Sequence, residues 1–457
     1  MATNIILLTT DDLNYNSVGF MGCSTPDITP NIDRLATEGL SFDNAHVAIA
    51  VCQPSRTALM TGMYPHHNGA RGFEDVNRSV TTLTEVLRRF GYYNGIIGKE
   101  DHLTPKDKFS WDEYISTYNN EDDYGRNPAK YYQYTRDFLR NAKLSGKPFF
   151  LMANTHDPHR PFANSDDEID FFGRHIAVDY EYTSDEVEVP GFLADIPSVR
   201  KEIAQYYSSV RRCDQSVGEI LRALREEGMD SDTLIWFLSD NGMAFPFAKT
   251  NCYLNSTRSP WIVRWPGRIQ EGKKTGALVS SIDFMPTIIE ILGLPLVDGL
   301  DGKSLASVLS GESDQHYETI YTQFFKTAKN QITKRERHYP MRCVQNNRYA
   351  YIYNAWADEE TEFMNESMSG ITFKALKEAA CHDSNIAERV HFYEYRVREE
   401  LYDYKEDPDA LYNLFDNPDY NGLLEEFRRK MYDYLITTKD ELLVSFENDI
   451  IRYLIYE

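Results

Sequence analysis

Five short stretches of this 457-residue chain carry residues able to do chemistry at points where a packed element should end. The most informative is residues 50–69, AVCQPSRTALMTGMYPHHNG. Pro54 suits the first turn of a helix, where its missing N–H is not needed, and Ala58, Leu59 and Met60 continue as helix interior. Cys52 then stands at or just before a helix N-terminus, where free backbone N–H groups and the dipole favour an anion. Arg56, one turn in, adds a planar cationic fork suited to a tetrahedral oxyanion. A buried structural cysteine accounts for the same residue equally well. Asp11-Asp12 follows the apolar run 5–10, and adjacent carboxylates there are expensive to bury unless a cation neutralises them. Asp240-Asn241-Gly242 follows the run 233–238, where Asp and Asn supply the hard oxygens that calcium or magnesium takes, or form a plain turn. Lys99 and His102 follow the run 92–98, and His156 and His159 follow 148–154. A solvated lysine and a satisfied loop histidine are the ordinary alternatives.

Each stretch needs a strand to carry it. Residues 5–10, 92–98, 148–154 and 233–238 are short, apolar and β-branched, as central parallel strands are. Helical periodicity separates them: 82–90 closed by Gly91, 131–144, and a long amphipathic run over 199–228. Further strands are expected at 41–47, 260–265 and 277–282, with a helix at 286–292. Beyond about Glu318 the pattern changes to alternation at 319–324, 341–345 and 349–354, which predicts an antiparallel sheet. A helical insertion at 363–380, a strand near 400–404 and a helix at 422–437 complete the tail. The expected layout is a catalytic part over 1–335 and a smaller antiparallel part over 336–457 that reaches the pocket. Placing all five stretches at strand ends puts them on the edge where open α/β sheets hold their sites.

Composition narrows the partners. Hydrophobic content of 42% and charged content of 26% suit a globular protein. With 71 acidic against 48 basic residues the formal charge is −23, which argues against nucleic acid. An anionic substrate therefore needs a local basic island. No apolar run approaches the ~20 residues that span a bilayer. The six cysteines are scattered without close pairing, so a disulfide framework is not expected. No charged and apolar leader precedes the first strand, although a trimmed precursor would look the same.

The string Cys52-x-Pro54-Ser55-Arg56, followed by Thr61-Gly62, resembles the activation motif of the type I sulfatases. Gly98-Lys99-x-x-His102, His156-x-Pro158-His159 and the Asp240-Asn241-Gly242 turn extend the likeness over nearly the whole chain. Residues 155–160, 245–253 and 339–345 are most similar to the sulfamidase, or N-sulfoglucosamine sulfohydrolase, branch. The resemblance implies an alkaline-phosphatase-like α/β fold, with a large, mainly parallel sheet sandwiched by helices and a small C-terminal α+β domain. It implies that a maturation enzyme oxidises Cys52 to formylglycine, whose hydrate attacks sulfur. It further implies one divalent ion, calcium, held by Asp11, Asp12, Asp240, Asn241 and the residue made from Cys52. Arg56, Lys99 and Lys249 would offset charge, His156 or Lys249 would protonate the leaving group, and His102 would act as base. His159 and Arg342 are candidates for substrate contact, a salt bridge being the alternative for Arg342. The two acids before His102 depart from the shorter form of the motif and either point away or raise its pKa. The implied substrate is a sulfated saccharide, with N-sulfate on a terminal glucosamine of a heparin-type glycan leading. An O-sulfatase and a phosphodiester or phosphonate hydrolase are the alternatives. By the same resemblance the compartment is periplasmic, secreted or lysosomal.

Overall fold

The fold is described by a computed structural model covering residues 3–327 and 337–451. β1 (Asn4–Thr10) lies inside an eight-stranded sheet. Its apolar run is buried on both faces, with Ile6 and Leu8 directed to one core and Ile5 and Leu7 to the other, as a period of two requires. The other strands of this sheet are β2 (Leu40–His46), β3 (Tyr93–Ile97), β4 (Glu113–Ile115), β5 (Phe149–Asn154), β6 (Thr233–Ser239), β7 (Trp261–Arg264) and β8 (Lys273–Ser280). Their order is β4-β3-β5-β1-β6-β7-β2-β8, and β7 alone runs antiparallel to its neighbours. One core is closed by the long helix Pro197–Glu226 and by Pro128–Ser145, the other by Leu83–Arg89 and Phe284–Ile291.

Register does the positioning. β1 pairs in parallel with β5 on one side and β6 on the other, setting Thr9 opposite Asn154 and Thr10 opposite Ser239. β1 and β6 therefore end level, with β5 one residue short, and Asp11 and Asp240 leave the sheet side by side.

A second sheet, antiparallel with order β12-β11-β10-β9, consists of β9 (Ile320–Lys326), β10 (His338–Gln345), β11 (Tyr349–Asn354) and β12 (Glu399–Asp403). Phe427, Met431 and Leu435 of the helix Asn421–Thr437 pack on its Val344, Tyr351 and Leu401. The expected boundary between 335 and 336 lies outside the described residues. β9 is on its N-terminal side. The helical insertion expected at 363–380 is a short turn, Glu366–Ser369, and a helix, Ile371–Ala379; a further helix, Ser384–Tyr395, follows. All six cysteines are free, and no described helix is long and apolar enough to cross a membrane.

The two sheets meet at His46. Its buried ring takes Thr257 Oγ1 at 3.1 Å, and Gln345 Nε2 of β10 donates to its Nδ1 at 3.1 Å. Burial pulls His46 down to about 3 and, at the same seam, His66 down to about 4. Both stay neutral in the folded chain, whereas an unfolded histidine takes a proton near pH 6.5. The unfolded state then binds more protons as pH falls below 6.5, so stability is present above that pH and lost progressively beneath it. The slope is roughly 1.4 kcal/mol per pH unit for each group. Urea midpoints measured between pH 7 and pH 5 should fall accordingly. His46→Gln should flatten that fall.

Candidate active site

Three carboxylates converge at the level ends of β1 and β6. Adjacent residues of a strand point to opposite faces, so Asp11 and Asp12 can share a site only if the chain leaves the strand between them. It does: Asp12 takes φ 66°, a left-handed conformation uncommon for a residue with a Cβ. Tyr206 of the long helix braces this turn, accepting from Asn14 N at 2.9 Å and donating to Asp12 O at 3.2 Å. Oxygens of Asp11, Asp12 and Asp240 lie within 4.8 Å of one another. Asp12 N donates to Asp240 Oδ1 at 3.2 Å, and Asn241 Nδ2 donates to Asp12 Oδ1 at 2.7 Å. Gly242 lets the turn close, because a Cβ there would sit 1.9 Å from Asn255 O.

Cys52 begins the helix Cys52–Thr61, as its motif predicts, with Sγ 3.3 Å from Asp11 Oδ1. Ser55 Oγ donates to Asp240 O at 2.6 Å and ties that helix to the β6 turn. Burial, reinforced by Asp11, pushes the Cys52 thiol well above its usual range. Arg56 lies beneath. Its Nη2 is 2.8 Å from Asp240 Oδ2 and 3.6 Å from Asp11 Oδ2, and its Nη1 donates to Asn154 Oδ1 at 2.7 Å and to Thr9 Oγ1. Lys99, also left-handed at φ 51°, pairs with Asp11, and Lys249 Nζ lies 2.7 Å from Asp12 Oδ1.

Asp12 faces Lys249 and Asp240 faces Arg56, whereas Asp11 faces both Lys99 and Arg56, and their pKa values diverge. Burial opposes ionisation of all three, but Lys99 and Arg56 hold Asp11 well below the usual carboxylate range. Burial raises Asp12 against the pull of Lys249, and pushes Asp240 up to about 7 against that of Arg56. Carboxylates packed this closely resist joint ionisation, and a divalent cation among them removes that penalty. Asn241 Oδ1 is buried without a hydrogen-bond partner, which adds a fourth hard oxygen. The donor set fits a divalent cation.

The histidines stand around this centre at different distances. His159 Nε2 is 3.9 Å from Asp12 Oδ2, and its Nδ1 lies 2.6 Å from Arg160 O. That carbonyl assigns the proton to Nδ1 and leaves the Nε2 lone pair toward the carboxylates. His156 takes Thr117 Oγ1 at 3.0 Å and stands edge-on to Tyr118. His102 has no partner on Nδ1. Burial and Lys99 press both His102 and His156 well below the usual histidine range. Of the two possibilities for the acids before His102, raising its pKa is the one not realised: Asp101 stays 4.0 Å away. Arg342 is not brought to the centre. It is buried on β10 with Nε and Nη2 2.7 and 2.9 Å from the Asp440 carboxylate, an ion pair inside the C-terminal part.

Three residues that sequence reasoning did not find complete the arrangement. Thr9 and Asn154 hold the Arg56 fork. Glu366 arrives from the segment between β11 and β12, with Oε1 2.6 Å from Lys249 Nζ. The polar ends of β1 and β5 hint at the first pair, while nothing local marks Glu366.

The sequence matches the family model described as Sulfatase over residues 3–294, and the one described as N-sulphoglucosamine sulphohydrolase, C-terminal, over residues 243–369. It is 31% identical to the N-sulphoglucosamine sulphohydrolase of Homo sapiens, covering 96% of this chain and 90% of that one. It is 27% identical to an ulvan-active sulfatase of Formosa agariphila, covering 96% and 81%. A solved structure of a protein in complex with its substrate D-glucosamine-2-N,6-O-disulfate superposes with a TM-score of 0.71. That likeness, at 19% identity and covering 96% of this chain and 99% of the other, is one of fold.

Proposed function

The chain belongs to the sulfatase family, and on that premise we propose that it hydrolyses the N-sulfate of a terminal glucosamine in a heparin- or heparan-type glycan. The observation that carries a sulfuryl-transfer centre is the convergence of Asp11, Asp12 and Asp240 on Cys52 at a helix N-terminus, ringed by Arg56, Lys99 and Lys249. The identity to the human N-sulphoglucosamine sulphohydrolase supports the N-linked choice.

Asp11, Asp12, Asp240 and Asn241 would hold one divalent ion, and an all-oxygen set of this kind suits calcium. When bound there, that ion would supply polarisation of a sulfuryl oxygen. Conversion of Cys52 to formylglycine by a maturation enzyme supplies a hydrated aldehyde as nucleophile. The remaining work belongs to this chain's own side chains. Arg56, locked by Thr9 and Asn154, and Lys99 and Lys249 present fixed positive charge to the transferring group at no reorganisation cost. Lys249, buried between Asp12 and Glu366, or His156 would give a proton to the leaving amine. His102, with its Nδ1 unpartnered, would receive one.

Sulfate release measured side by side on N-sulfoglucosamine, O-sulfated sugars and a phosphonate ester tests the reading. Release from O-sulfates alone would sink the N-sulfate assignment. Peptide mass analysis should find the Cys52 peptide lighter by roughly 18 Da, the change expected for sulfur-to-aldehyde conversion. Exhaustive chelation should remove turnover and added calcium restore it; full activity after chelation would remove the metal from the reaction.

A further inference from the structure

The mouth of this centre carries an acid where an anion site has most reason to exclude one. The Asp12 and Lys249 side chains are 0% and 1% exposed, whereas Glu366 is 41% and His159 30% exposed. Glu366 and His159 thus form an exposed edge of the centre, along which a sugar can extend when its sulfate lies among the cations. Ligand atoms of Glu366, His159 and Asp12 fall within 4.8 Å of one another, and His159 is likewise within 4.8 Å of Asp11 and the Cys52 sulfur, so Glu366 stands at the edge of the centre.

Its position is built. Asn365 Nδ2 donates to Thr250 Oγ1 at 2.7 Å and to Tyr393 OH at 2.8 Å. Thr250 N donates to Ala50 O at 2.9 Å, two residues before Cys52. Met364 N donates to Tyr339 OH at 3.1 Å. The turn bearing Glu366 is thus pinned on one side to the lysine loop and the loop entering Cys52, and on the other to the second sheet.

Lys249 does not need this carboxylate for neutrality, because Asp12 already stands 2.7 Å from it. Glu366 weakens the pull of Lys249 on any anion. In exchange it offers a charged acceptor, which binds donors more strongly than a neutral one and repels like charge. We infer that Glu366 determines specificity: its carboxylate accepts a hydrogen bond from the sugar hydroxyl neighbouring the scissile sulfate and rejects a substrate bearing a second sulfate there. The inference rests on the sugar sulfatase reading above.

Three substrates test it: N-sulfoglucosamine, the same sugar with a second sulfate on the adjacent 3-hydroxyl, and an aryl sulfate with no neighbouring hydroxyl. Glu366→Gln should raise KM for N-sulfoglucosamine about tenfold with kcat within about threefold. It should narrow discrimination against the disulfated sugar by about tenfold, with the aryl sulfate reading any change through Lys249 that is common to all substrates. Glu366→Asp, which keeps the charge with a shorter reach, should retain the rejection while weakening the monosulfated sugar. Calorimetric binding of both sugars to Cys52→Ala protein, with and without Glu366→Gln, reads the same discrimination without turnover. An unchanged ratio between the two sugars overturns the inference, as does an equal loss on all three substrates, which would mark Glu366 as a mere tie to Lys249. If the wild-type protein cleaves the aryl sulfate but neither sugar, the sugar reading itself fails and the inference falls with it.

Discussion

Cys52→Ala is expected to abolish sulfate release, by about 10⁴-fold or more, in a protein that still folds. Loss of a covalent nucleophile costs on the order of 10⁴ to 10⁶ in other hydrolases, the remainder being binding and electrostatic stabilisation by untouched groups. Here those groups stay in place: Arg56 keeps Thr9, Asn154 and Asp240, and Lys249 keeps Asp12. The structural cost is small because alanine is a good helix former, and Cys52 is the first residue of its helix, whose first backbone bond, Ser55 N to Val51 O, needs no side chain at position 52. Removing one buried sulfur leaves a small void worth about 1 kcal/mol. Activity and thermal midpoint should therefore separate cleanly. Wild-type turnover in the variant would take Cys52 out of the reaction.

What could be read from the sequence follows from what is local. The apolar runs ending at Thr10, Asn154 and Ser239 announce central strands, and strand ends announce a site edge. Cys52 and Arg56 sit in one helical turn, so their relation is fixed by the helix itself. Which strand ends are neighbours is a matter of register, and Thr9 opposite Asn154 with Thr10 opposite Ser239 has no local signature. That register alone brings Asp240 to Asp11. The roles that escaped are those decided by long-range approach. Glu366 depends on how the turn after β11 folds over Thr250. Arg342, a candidate for substrate contact with a salt bridge as the alternative, makes the salt bridge: Asp440, after the last long helix, takes the Nε–Nη2 edge of its guanidinium. The single helical insertion at 363–380 breaks because Gly370, packed against Arg160 and Glu202, interrupts it.

Arg56→Ala should remove both activity and much of the stability, and the two losses have separable causes. The guanidinium is 2% exposed and serves Asp240, Asp11, Thr9, Asn154 and the carbonyl of Thr10. Deleting one partner of a buried ionic cluster strands the other charges, at a cost of about 3 to 5 kcal/mol. Loss of a preorganised positive group at the reacting centre removes about 10²- to 10³-fold in kcat on top of that. Lysine should not rescue, because one ammonium cannot span Asp240 on β6 and Asn154 on β5 at once, as the planar fork does. Pairing Arg56→Ala with Asp240→Asn removes one stranded carboxylate charge, so the double variant should regain part of the lost urea midpoint while remaining inactive. A midpoint for Arg56→Ala equal to wild type would mean that the cluster carries no such strain, and with it the role assigned to Arg56 as the strut between the nucleophile helix and the ends of three strands.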